Sequence, residues 1–288
     1  MPKVVLMPVT GTDADVPVFT TALTVGRMFD AHLLALHVEP DVQREIASLA
    51  AADMGLSSGL NNAMSRLEED ASRLKGAAEA AWRSFCTGNG VMMTNQPGQA
   101  GVTSEWVVET GNAADWVAEY GRTCDMIVTG RGAAGSILAG DLTESALMES
   151  GKPVLLAASG APPTLDGTIA IAWKDTREAA CAVRSALPFI RRAARVVVFT
   201  VTEDDADQGR AHERLAASLR WHNANVALHV IGPDGNAPVE SLLDAVTGAG
   251  CTMLVMGGYG HTRLREAVFG GFTRTVLERA PLPVLMAH

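Results

Sequence analysis

Residues 124–130 read CDMIVTG, and residues 251–257 read CTMLVMG. Each is a short apolar run behind a cysteine, closed by a glycine. The echo extends along the chain. GKPVLLA at 151–157 answers APLPVLMA at 280–287. GNAADWVAEYG from Gly111 answers GNAPVESLLDAV from Gly235. AHLLALHVEPD from Ala31 answers ARVVVFTVTED from Ala194, and VVLMPVTGTD from Val4 answers TIAIAWKDTRE from Thr168. The segments recur in the same order, which marks a tandem duplication. The break falls in SGAPPTLDG, Ser159–Gly167, where prolines and glycines suit an exposed linker. The predicted domains are therefore residues 1–160 and 161–288.

Within each copy, short β-branched runs alternate with amphipathic stretches. In the second copy the predicted strands are Ile169–Trp173, Arg195–Val201, Asn225–Ile231, Thr252–Met256 and Pro283–Met286. Helices are predicted to begin near Glu178, Gln208, Asn236 and Gly271. Asn236 followed by Pro238 reads as an N-cap with proline in the first turn. Strands separated by helices imply a parallel sheet with right-handed crossovers, and strands this apolar must be covered on both faces. The fold class is α/β: two tandem doubly wound, Rossmann-like domains, each a five-stranded, mainly parallel sheet flanked by helices. Ligands in such sheets bind beyond the carboxyl ends of the strands. The first copy has an extra stretch, Asp41–Asn62, read as a surface helix plus loop or as a flap beside the first site.

The bulk numbers agree. The chain has 288 residues, 48% hydrophobic and 19% charged, with a net charge of −9. A sizeable core is possible, and an acidic surface disfavours nucleic acid, whose phosphates need a basic face. No run approaches the roughly 18–20 apolar residues of a membrane span. The start MPKVVLMPVTG lacks the pattern of a signal peptide, so a cytoplasmic location is expected. The four cysteines, Cys86, Cys124, Cys181 and Cys251, form no C-x-x-C pair. They read as small buried residues rather than metal ligands.

GRGAAG at 130–135 spells G-x-G-x-x-G and would suggest a nicotinamide-dependent oxidoreductase. A dinucleotide fingerprint belongs to the first strand-to-helix turn, with an acid about 20 residues on. Gly130–Gly135 follows the fourth predicted strand instead, and PVLLAAS lies downstream. The second copy is richer: GGYGHTRLREAVFGGFT spans Gly257–Thr273. Gly257 and Gly260 frame a turn, and Gly270 and Gly271 precede a helix carrying Phe272 and Thr273. Glycines admit close backbone approach, and a helix start offers unpaired N–H donors and positive dipole. This pattern predicts an anion site.

Here the chain resembles the universal stress protein family. The family's loop is G-x-x-G, nine residues, then G and Ser or Thr. Gly257-x-x-Gly260, the nine residues His261–Phe269, and Gly270 match it. RAPLPVLMAH matches the family's closing strand, and AWKDTREAACAVRSALPFI its first strand and helix. The resemblance implies a nucleotide-binding, stress-associated regulatory module with no obligatory chemistry. Its ligand would be ATP or another adenine nucleotide, with Mg²⁺ as a further candidate. Carried onto this chain, the nucleoside would meet Ala172, Trp173 and Lys174 and, from the second strand, Val201. The phosphates would meet Met256, Gly257, Gly260, Gly270, Gly271, Phe272 and Thr273. Pairing of the two halves within the chain, and a homodimer, are further expectations.

Two positions depart from the family. Lys174 stands where the family has an aspartate, and Gly271 where it has Ser or Thr. Lys174 reads either as a point charge for phosphate or as a solvated end-of-strand lysine. In the first copy the loop between Gly130 and Gly140 is three residues shorter, Asp141 replaces Gly271, and Thr10 holds the first-strand position. That copy reads as degenerate for triphosphates, although Thr143 matches Thr273. No Walker, G-x-S-x-G or H-E-x-x-H motif is present. His261, Arg263 and Arg265 read as exposed loop residues, so no enzyme is expected beyond slow incidental ATP hydrolysis. The alternative is a family member that binds no nucleotide and acts as an interaction protein or holds another small ligand.

Overall fold

A computed structural model describes residues 1–43, 60–131, 137–160, 164–201, 209–232, 235–258 and 271–288. The first half contains β1 (Val4–Pro8), α1 (Asp15–Phe29), β2 (His32–Glu39), α2 (Leu60–Asn89), β3 (Met92–Met93) and β4 (Thr103–Thr110). It continues with α3 (Ala113–Thr123), β5 (Met126–Thr129), α4 (Ile137–Glu149) and β6 (Val154–Leu156). The second half contains β7 (Thr168–Ala172), α5 (Arg177–Ile190), β8 (Arg195–Val201), α6 (Gly209–Leu219) and β9 (Val226–Ile231). It closes with α7 (Pro238–Gly248), β10 (Met253–Gly257), α8 (Gly271–Arg279) and β11 (Val284–Ala287).

The strands form one sheet in the order β3-β4-β2-β1-β5-β6-β11-β10-β7-β8-β9. Every pairing is parallel except β6 with β11, which joins the halves antiparallel. There Leu155 lies opposite Leu285, Leu156 opposite Val284, and Val154 opposite Met286. The duplication aligns Leu155 with Leu285, so a pseudo-twofold axis passes through that pair. Among the described residues the duplication thus becomes a single eleven-stranded sheet whose two arms are related by that pseudo-twofold axis.

Both faces are covered, as the continuous apolar runs require. On one face α1, α2, α5 and α6 bury Val5, Met7, Trp82, Ile171 and Phe189. On the other, α3, α4, α7 and α8 bury Leu6, Ile127, Leu242, Met256 and Val276. Each core runs through both halves. Phe29 at the end of α1 meets Phe189 of α5 edge-on, centroids 5.0 Å apart, and Arg192 stacks over the Phe29 ring.

In the first arm β1 sits between β2 and β5, and in the second β7 sits between β8 and β10. The helices after β1 and β5 cover opposite faces, as do those after β7 and β10. Each arm therefore opens a crevice at the carboxyl ends of its central strands, where ligands of doubly wound sheets bind.

Two local readings are revised. The first arm holds a sixth, two-residue strand, Met92–Met93, paired with β4. Helix α7 starts at Pro238 with Ala237 as its N-cap, one residue after Asn236, and Ala237 contributes no side-chain cap. Its counterpart in α3 does have the cap the pattern describes: the Asn112 side chain accepts from Ala114 N and Asp115 N. No helix among the described residues is long and apolar enough to cross a membrane.

Candidate functional site

In the second arm β7 ends at Ala172 and β10 at Gly257, and Ala172 pairs with both Met256 and Phe199. Met256 is buried, and Ala172, Val201 and Phe272 pack partly buried against the same core face. These four residues form the apolar wall at the strand ends. Helix α8 starts beside it at Gly271, whose Cα hydrogens face open space: an added Cβ would find nothing within 4 Å. The wall can take a flat apolar ring. The helix start supplies free N–H groups and positive dipole for an anion. Gly260, Gly270, His261, Arg263 and Arg265 lie outside the described residues.

Gly257 has a different reason to be glycine. A Cβ there would lie 2.6 Å from Ala179 N and 2.8 Å from Glu178 C, the first turn of α5. Close packing of strand end on helix start thus fixes this position, independent of any ligand. Thr273 is buried at 8% exposure. Its counterpart Thr143 donates inward to Thr129 Oγ1 at 3.1 Å.

Lys174 and Asp175 follow the end of β7 and are both exposed. Among the described residues Lys174 forms no ion pair, while Asp175 meets Arg214 at 3.4 Å. Trp173 still donates its backbone N–H to Phe199 O at 2.8 Å. Its side chain, however, packs on the opposite core face from Ala172 and Met256. There the indole Nε1 is buried with no hydrogen-bond partner among the described residues, as is Thr200 Oγ1 on the neighbouring strand. The strand alternation separates Trp173 from the rest of the predicted set.

The equivalent turn of the first arm is closed by its own side chains. Aligning the two first strands puts Thr10 opposite Lys174 and Asp15 opposite Ala179. Asp15 is buried at 3% exposure. Its carboxylate accepts from Thr10 N at 2.9 Å, Gly11 N at 2.7 Å and Thr10 Oγ1 at 2.8 Å. The donors that a bound anion would use already hold an internal one. Gly11, at φ +80°, packs so tightly under α2 that a Cβ would lie 2.4 Å from Leu74 O. Lys75 of the same helix pairs with Glu39 at the end of β2, 3.0 Å away. Gly130 mirrors Gly257: its Cβ would meet Val18 Cγ2 at 2.9 Å and Ala14 O at 3.2 Å of α1. The first-arm lock was not foreseen. TGTDAD carries its only sequence signal, an acid in the first turn of α1.

The family model for universal stress proteins matches residues 1–158 and, separately, residues 167–288. The chain belongs to the universal stress protein family. Two family-model matches in tandem agree with the pseudo-twofold in the sheet. Among solved structures, a universal stress protein from Archaeoglobus fulgidus DSM 4304 is 16% identical, with 99% of this chain and 97% of that chain covered, at a TM-score of 0.67. A functionally unknown protein from Pseudomonas aeruginosa PAO1 is 13% identical, with 99% and 92% covered, at a TM-score of 0.54. At these identities the likeness concerns the fold. Among curated proteins no relative of the chain is found.

All four cysteines are free. Burial pushes the thiols of Cys86, Cys124 and Cys251 up to about 11, which suits packing residues rather than nucleophiles or thiolate ligands. Among the described residues no group of three or more His, Cys, Asp or Glu could hold a metal ion.

Proposed function

We propose that this universal stress protein is a regulatory binding module that takes one adenine nucleotide per chain, in its second arm. The observation that carries the reading is the asymmetry between two otherwise duplicated crevices. The first has its turn donors held by Asp15 and its mouth covered by α2. The second keeps an apolar wall of Ala172, Val201 and Met256 beside the open start of α8. The wall would receive the base, and the backbone N–H groups around Gly271 would receive phosphate. Bound nucleotide, with Mg²⁺ accompanying a triphosphate, would supply a reporter of adenylate state rather than a reactant. In this reading the protein acts by binding and not by catalysis, acts in the cytoplasm, and associates as a dimer.

Calorimetric titration of ATP, ADP and AMP into the wild type and into Gly260→Asp tests the reading. Heat from the wild type that the carboxylate abolishes supports it; equal heats, or none, remove it. A second reading, a module that holds a different small ligand, is favoured by Lys174 and by the missing hydroxyl at Gly271. Mass spectrometry of molecules released from purified protein separates the two, since a co-purifying nucleotide counts against the second.

A further inference from the structure

A cavity lies where the two arms meet, apart from the crevice described above. It has a volume of about 510 Å³, within the range of small-molecule sites. One wall is the amino-terminal rim of the first arm: Asp125, Met126 and Lys152. The other is a stripe of α5, namely Cys181, Arg184, Ser185 and Pro188. Its walls thus come from both halves of the chain.

Two cationic side chains stand in these walls, Lys152 from the first arm and Arg184 from the second. Neither forms an ion pair among the described residues. Asp125, the one acidic side chain in the lining, which also takes in Met1 and His288, is already committed: its carboxylate accepts from Lys3 N at 2.7 Å and Val4 N at 3.0 Å, holding the start of β1. Ser185 adds a hydroxyl. Pro188 lies inside the helix and has no N–H, so the usual helical bond to the Arg184 carbonyl is missing and the stripe gains a polar backbone atom.

The duplication provides the comparison. Aligning β6 with β11 puts Leu282 opposite Lys152, and aligning α1 with α5 puts Thr20 opposite Arg184, Thr21 opposite Ser185 and Thr24 opposite Pro188. The mirrored junction therefore has the same backbone frame with no cation at either position. Packing the two arms does not require Lys152 and Arg184.

We propose that this junction is a binding site for a compact dianion, a phosphate or a short dicarboxylate, held by Lys152 and Arg184 across the two arms. A doubly charged ligand matches two cationic side chains, with the Ser185 hydroxyl donating a further bond. The site adjoins the carboxyl end of β11, where Gly258 N donates to Ala287 O at 2.9 Å and the His288 ring bonds Gly258 O at 3.2 Å. It is independent of the proposed nucleotide reading, because none of its walls belongs to the Ala172–Met256 crevice.

Inorganic phosphate and succinate, titrated separately at low ionic strength into wild type, Lys152→Gln and Arg184→Gln, are the test. Each single variant should weaken the better of the two ligands about tenfold or more, the effect of removing one charge-assisted contact. Which anion binds more tightly fixes the ligand class. Thr20→Gln, at the mirrored position, should leave the affinity unchanged. The inference is overturned if neither anion binds the wild type, or if both single variants bind as the wild type does. The second outcome would place the anion elsewhere, such as the glycine loop.

Discussion

The turn after β1 and the turn after β7 began as copies of one sequence and have become opposites. In the first, Asp15 fills the turn's donors and α2 presses on Gly11. In the second, Ala179 replaces the acid, and Lys174 and Asp175 stand exposed. One carboxylate and one long helix occupy the turn in the first arm that stays exposed in the second. The first arm also supplies the strand, β6, against which β11 of the other arm pairs.

The largest effect should come from adding a single methyl to the closed turn. Gly11→Ala combines a left-handed backbone at φ +80° with a 2.4 Å clash against backbone, and should cost about 3 kcal/mol or more in urea unfolding. Asp175→Ala, at the same position of the open turn, should stay within about 0.5 kcal/mol, because its ion pair with Arg214 is exposed. Similar costs for the two would dissolve the contrast.

Asp15→Ala should cost about 2 kcal/mol, since it leaves the N–H groups of Thr10 and Gly11 without their acceptor. It is also the change most apt to restore anion binding in the first arm. Gly257→Ala should cost a similar amount, about 2 kcal/mol, through overpacking against the α5 backbone. Gly130→Ala should cost less, because its nearest neighbour is a side-chain methyl of Val18.

Smaller changes sharpen the open side. Gly271→Ser faces open space and should alter stability by less than about 0.5 kcal/mol. It restores the family's hydroxyl beside the proposed phosphate position and should tighten nucleotide binding about fivefold, the value of one added hydrogen bond. Trp173→Phe removes a buried indole N–H that has no partner among the described residues, so stability should be unchanged or slightly raised. Nucleotide affinity should not move, because Trp173 lies on the other face of the sheet. A clear loss of affinity in that variant would bring Trp173 back into the site.

Much of this was legible in the chain itself. Strand and helix order and the duplication follow from repeated strings and strand patterning, while Ala172, Val201 and Met256 come from the family resemblance. The G-x-G-x-x-G at Gly130 follows β5 rather than β1, as its place in the repeat predicts. What could not be read are contacts between distant segments. Backbone pairing of β6 with β11 leaves no mark in VLL or VLMA that separates an inter-arm edge from an ordinary one. The meeting of Leu74 with Gly11 links residues far apart in sequence. Trp173 sits one residue past the strand end, where alternation decides its face and a family pattern does not. Asn236 looked like a cap because it precedes proline by two residues, yet the helix begins with proline at its first position and Ala237 before it.

Counting the nucleotide sites on the full chain tests the central claim most directly. Titration calorimetry with AMP should give one binding event per chain, retained in Thr10→Asp and lost in Val201→Asp. Two equivalent events per chain, or one that survives Val201→Asp and disappears in Thr10→Asp, would contradict the assignment of the open crevice to the second arm.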